Sequence, residues 1–98
     1  RETDAGLVEN VYLLKILNMS ETEQSYTLMV RGIEGADLLL DREAIRVASG
    51  EVLELPVSVR ADEANLNARS MSIEFVLSAT RDRELVAIEE ARFLGPAR

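Results

Sequence analysis

Apolar and polar residues alternate through most of this 98-residue chain. In Val11-Tyr-Leu-Leu-Lys-Ile-Leu-Asn18, the residues Tyr12, Leu14, Ile16 and Asn18 share one parity. In Tyr26-Thr-Leu-Met-Val30, so do Tyr26, Leu28 and Val30. A period of two is that of strands with one face on a core, and the polar link Met19–Ser25 crosses between them. The pattern predicts strands over 9–19 and 25–32, with an early edge strand near Leu7-Val8 in the otherwise polar lead-in. Gly32 and Gly35 then mark a turn.

The stretch 36–48 reads as irregular chain over 36–43 and a short strand over 44–48, where Ile45 and Val47 alternate. Leu53, Leu55, Val57 and Val59 oppose Glu54, Pro56, Ser58 and Arg60 in the cleanest alternation of the chain. Proline has no amide hydrogen, so Pro56 predicts a sheet edge or a bulge. A crossing loop follows over 61–69, where Asp62 is placed to cap one helical turn. Met71, Ile73, Phe75, Leu77 and Ala79 define the next strand, over 70–80, and a charged hairpin turn follows it. In the last strand, 85–94, Val86 and Ile88 have one parity and Ala91 and Phe93 the other, which predicts a bulge at Glu89-Glu90.

Six or seven short strands with hardly any helix describe a two-sheet sandwich. Its expected core gathers Leu14, Ile16, Leu28, Val30, Leu55, Val57, Ile73, Phe75 and Leu77. At this length the chain is one domain, residues 1–98. Its 47% hydrophobic and 30% charged content is that of an ordinary globular fold. No apolar run approaches the roughly 20 residues of a membrane-spanning helix. The chain opens on Arg1 and has no signal peptide, the expectation for a domain cut from a longer protein.

Charge and chemistry narrow the function classes. A net charge of −7 argues against nucleic acid, since phosphate binding needs clustered Lys and Arg. There is no Cys and no His. Serine and cysteine triads lack their base or thiol, and zinc and cupric sites lack their usual ligands. The five glycines form no phosphate loop. Asp37, Asp41 and Glu43 sit close enough to suggest calcium, but Leu38–Leu40 interrupt them and the EF-hand pattern is missing. Met19, Met29 and Met71 raise a cuprous thioether site but are dispersed along the chain, as core-filling methionines are. Asn18-Met19-Ser20 is a formal glycosylation sequon at the end of a strand and carries little weight. No catalytic, cofactor-binding or metal-ligating residue is therefore assigned.

The outward faces suggest contact instead. Val11, Leu13 and Leu17 lie opposite the core parity of the first strand, and Met29 does so on the second. As one apolar patch they would be a docking surface for a protein partner.

The opening Arg1-Glu-Thr-Asp-Ala-Gly-Leu-Val-Glu-Asn-Val-Tyr12, running into Leu14-Lys-Ile-Leu-Asn18, resembles the C-terminal domain of the FixG family, also called CcoG. Tyr26-Thr-Leu-Met-Val-Arg-Gly32, Leu55-Pro-Val-Ser-Val59 and Arg92-Phe-Leu-Gly-Pro96 agree with it, so the resemblance spans essentially the whole chain. It implies an all-β, immunoglobulin-like sandwich of about seven antiparallel strands at the end of a bacterial inner-membrane protein, on the periplasmic side. It also implies a parent that binds iron–sulfur clusters through Cys and serves assembly of the cbb-type cytochrome c oxidase, by reducing copper. The redox residues have no counterpart here, because the chain has no Cys. The expected role is a non-catalytic interaction domain without a cofactor of its own. Its expected partner is an oxidase subunit, a copper carrier or the parent's membrane region. The alternative is a domain that itself binds copper and hands it over.

Overall fold

The computed structural model describes residues 6–81 and 83–96. Its strands are β1 (Leu7–Leu17), β2 (Gln24–Arg31), β3 (Asp37–Leu40), β4 (Ile45–Val47), β5 (Val52–Asp62), β6 (Ser70–Ala79) and β7 (Leu85–Leu94). They form a three-stranded sheet in the order β1-β5-β3 and a four-stranded sheet in the order β4-β2-β6-β7. The strand pairings among the described residues are antiparallel. Among the described residues only β6 and β7 form a hairpin within one sheet, and the other connections cross from one sheet to the other.

Alternation builds the core as expected. Tyr12, Leu14 and Ile16 stand opposite Val57, Leu55 and Leu53, and Leu28 and Val30 stand opposite Leu77 and Phe75. The inner faces of the two sheets meet over Leu55, Val57, Val59, Ile73, Phe75 and Phe93, all of them buried. Leu14, Leu28 and Val30, expected in the core, are only partly buried and pack against it. Phe75 also meets Tyr12 edge-on, with ring centroids 5.1 Å apart.

Four features differ from the expectation. The early edge strand is simply the first turn-free part of β1, an 11-residue strand paired with β5 from Leu7 to Leu17. Residues 37–40 form a strand, because β5 continues to Asp62 and offers Val57–Arg60 as partners. Pro56 lies in the central strand of its sheet, opposite Leu13. Backbone groups alternate sides along a strand, and Asn18 N–H reaches Glu51 C=O, so odd-numbered residues of β5 face β1 and even-numbered ones face β3. Pro56 therefore turns its nitrogen toward β3, which has already ended at Leu40 opposite Val57. No ladder hydrogen bond is lost. Finally, the irregularity in β7 is not at Glu89-Glu90. Pairing is continuous from Met71–Phe93 to Leu77–Ala87 and shifts only beyond it, where Ser78 meets Leu85 and Val86 is the extra residue.

Asp62 accepts a hydrogen bond from Ala64 N–H (2.9 Å) and caps the single 3-10 turn Glu63–Asn65, as its position predicts. Gly32 holds φ +119°, and a Cβ there would lie 2.7 Å from the Ser72 carbonyl oxygen. Only glycine fits between β2 and the start of β6.

Candidate functional site

Because β1 alternates from Asn10 onward, Val11, Leu13, Lys15 and Leu17 stand on the outer face of the three-stranded sheet. Val11, Leu13 and Leu17 are 64%, 58% and 49% exposed. Leu13 is opposite Pro56, Val11 is opposite Ser58, and exposed Leu39 is on the far side of Ser58. Lys15 and Glu54 stand opposite one another and separate this cluster from Leu17 and its partner, exposed Val52. At the other end Glu9, only 5% exposed, accepts a 2.6 Å hydrogen bond from Arg60 Nε. A carboxylate this buried needs such a partner, and the pair closes the apolar face with charge.

Met29 does not join that patch. It is 56% exposed on β2, opposite Val76, which is in turn opposite exposed Ile88. These residues lie on the outer face of the four-stranded sheet, the other side of the sandwich. The expected single surface is thus two surfaces. A two-sheet fold forces this, because β1 and β2 belong to different layers.

The edge between β1 and β7 has its own construction. Asn10 Nδ2 donates to Leu94 C=O (2.9 Å), and Asn10 Oδ1 accepts from Leu94 N–H (3.0 Å). Tyr12 OH donates to Arg92 C=O (2.9 Å), and burial pushes its hydroxyl up to about 12. These side chains stitch the two layers at one end. Beyond them the layers part, and residues 85–90 of β7 are exposed at every position.

Asn18 is a second residue whose role the sequence did not announce. Its side chain is 1% exposed. Its Nδ2 donates to Thr22 and Val47 C=O, each at 2.9 Å, and its Oδ1 accepts from Ser20 N–H (2.9 Å) and Oγ (2.7 Å). All four bonding positions of the amide are filled, so it ties the end of β1 to the following turn and to β4. The nitrogen of the formal sequon is occupied inside the fold.

The candidate metal ligands are held apart. Asp37 opens β3 and Asp41 follows its last residue, and Asp41 is engaged by Arg42 Nε at 2.7 Å, which holds its carboxyl below the usual range. Met19 is exposed beyond β1, Met29 is on an outer face, and Met71 packs against the core with its sulfur accepting from Asn67 N–H (3.4 Å). Among the described residues no group of three or more Asp, Glu, His or Cys is placed to hold a metal ion. No helix of the described residues is long and apolar enough to cross a membrane.

Two antiparallel sheets packed face to face, with crossing connections and one terminal hairpin, define an immunoglobulin-like domain. Residues 1–96 match the family described as "IG-like fold at C-terminal of FixG, putative oxidoreductase". The chain belongs to this FixG C-terminal family. A solved structure described as a FixG-related protein from Vibrio parahaemolyticus is 37% identical to it, with a TM-score of 0.81. That match covers 92% of this chain and 81% of the other. No curated protein sequence matches.

Proposed function

We propose that this chain is a non-catalytic interaction domain on the periplasmic side of a bacterial inner-membrane FixG-type protein. The redox chemistry, copper reduction in support of cbb-type oxidase assembly, belongs to the parent's other parts. Iron–sulfur clusters there need thiolates, which this chain lacks. The observation that carries the reading is the exposed apolar face of β1-β5-β3. Val11 and Leu13 stand together, and Leu17 stands with Val52 beyond the Lys15–Glu54 pair, on a sheet whose inner face is already packed. Such a patch on a small soluble fold marks a contact surface. The partner is an oxidase subunit, a copper carrier or the parent's membrane region. The copper hand-over alternative has no converging ligands to recommend it, since Met29 and Met71 point to opposite sides of their sheet.

Paired charge substitutions in the full-length parent test this. Leu13→Glu should abolish its support of oxidase assembly while leaving the domain's thermal midpoint within about 2 °C of wild type, because both side chains are solvated. Met29→Glu, on the opposite face, should leave assembly unchanged. Full assembly with Leu13→Glu overturns the proposed face.

A further inference from the structure

The two layers do not match in width. One has three strands and ends at β1; the other has four and ends at β7. Past the Asn10 and Tyr12 stitches, nothing in the described chain covers the inner side of the first half of β7. A groove of about 320 Å3 opens there, with a floor of Leu14, Ile16, Leu28, Phe75 and Leu77. A second hollow of about 410 Å3 lies further along the same two strands, between Leu17 and Leu85-Val86.

The rim of this seam is backbone. Asn18 turns its N–H and C=O toward the β5 side, so Val11, Leu13, Lys15 and Leu17 turn theirs away from it, along an edge that no strand of the described residues pairs with. Past the bridges, from Leu13 to Leu17, this edge is about 14 Å long at a strand's rise. An open edge beside an apolar floor is the arrangement that accepts an added strand.

One side chain adds a charge requirement. Glu89 lies directly opposite Phe75, so it shares the core-facing side with Ala91 and Phe93. It is the one charged residue at an inward position of the seven strands, and it stands in the wall of the groove. Lys15, the other charge at the mouth, belongs to the outer parity, where Glu54 stands opposite it.

We propose that the seam between β1 and β7 is an acceptor site for an extended peptide strand with apolar residues at alternate positions and one Lys or Arg among them. The strand pairs with β1 along 13–17 and widens the three-stranded sheet to four. Its inward side chains cover the exposed floor, and its basic residue meets Glu89. The Asn10 and Tyr12 bridges to β7 fix where it stops. This rests on the reading of the chain as a binding module, but uses its edge rather than its outer face.

The probe is a nine-residue peptide of alternating valine and threonine whose central valine is replaced by lysine, titrated into the isotope-labelled chain. Amide exchange at residues 13, 15 and 17 should slow, while the amides of β2, inside the other sheet, stay unchanged. A glutamate in place of the lysine should weaken binding about tenfold, and Glu89→Lys should reverse that preference. N-methylating one alternate set of peptide amides should abolish binding, and methylating the other set should not. Equal affinity of the lysine and glutamate peptides overturns the proposal. So does protection confined to β7, or edge protection that appears only as the chain self-associates without peptide. A failure here with Leu13→Glu still blocking assembly removes the strand site and leaves the docking face standing.

Discussion

Tyr12 shows how one side chain serves both layers of the sandwich. Its ring packs edge-on against Phe75, and its hydroxyl donates to Arg92 of β7. Burial raises the hydroxyl from its ordinary 10.0 to about 12, so the folded state holds this proton more tightly than the unfolded chain. The contribution is fully present below pH 10 and is lost as pH rises from about 10 to about 12. Tyr12→Phe should lower stability at neutral pH by about 1 kcal/mol, the loss of one hydrogen bond. It should also flatten the fall in urea midpoint between pH 9 and pH 12. An unchanged fall in the variant would place its cause elsewhere. Nothing in the pattern around residue 12 distinguishes this tyrosine from an ordinary core aromatic, because its partner lies 80 residues away in sequence. The same holds for Asn18: its parity put it on the core side, but only the fold brings Val47 to its amide.

At the scale of elements, periodicity was the reliable guide wherever a strand was long and half-buried. β1, β2, β5 and β6 lie where alternation placed them, give or take their ends, and the hairpin between β6 and β7 was legible in its charged turn. The failures have local causes. β3 is only four residues long and its sequence, Asp-Leu-Leu-Leu, does not alternate, so β5 rather than propensity makes it a strand. β7 misled because its first half has apolar residues on the outer parity and Ala87 and Glu89 on the inner one. Hydrophobicity then suggested a change of phase where the ladder has none. That mismatch between composition and position is itself the mark of the open seam. The phase of β6 makes a sharp test. Phe75, 2% exposed, is preceded on the other side by Glu74, which accepts from Arg31 Nε at 2.8 Å on the surface. Phe75→Asp should leave no cooperative thermal transition, since it buries an unpaired carboxylate in place of a core ring. Glu74→Lys should cost less than about 1 kcal/mol, the usual worth of an exposed ion pair. Comparable stability of the two variants would contradict the assigned faces.

The whole molecule is a narrow sandwich, 49 Å long and 21 by 17 Å across. With so little thickness, almost every strand has one face outside, and function must be sought in faces and edges rather than in a cleft. The sequence indicated the outward apolar residues but grouped Met29 with Val11, Leu13 and Leu17, since parity alone does not say which layer a strand joins. Topology assigns them to opposite sides and singles out β1, which carries both an apolar outer row and an unpaired edge. The proposed contact therefore runs through β1. Site-specific photo-crosslinking from positions 13 and 29 of the full-length parent in native membranes tests it most directly. A discrete crosslinked product is expected from position 13 and none from position 29. A product from position 29 alone would contradict it.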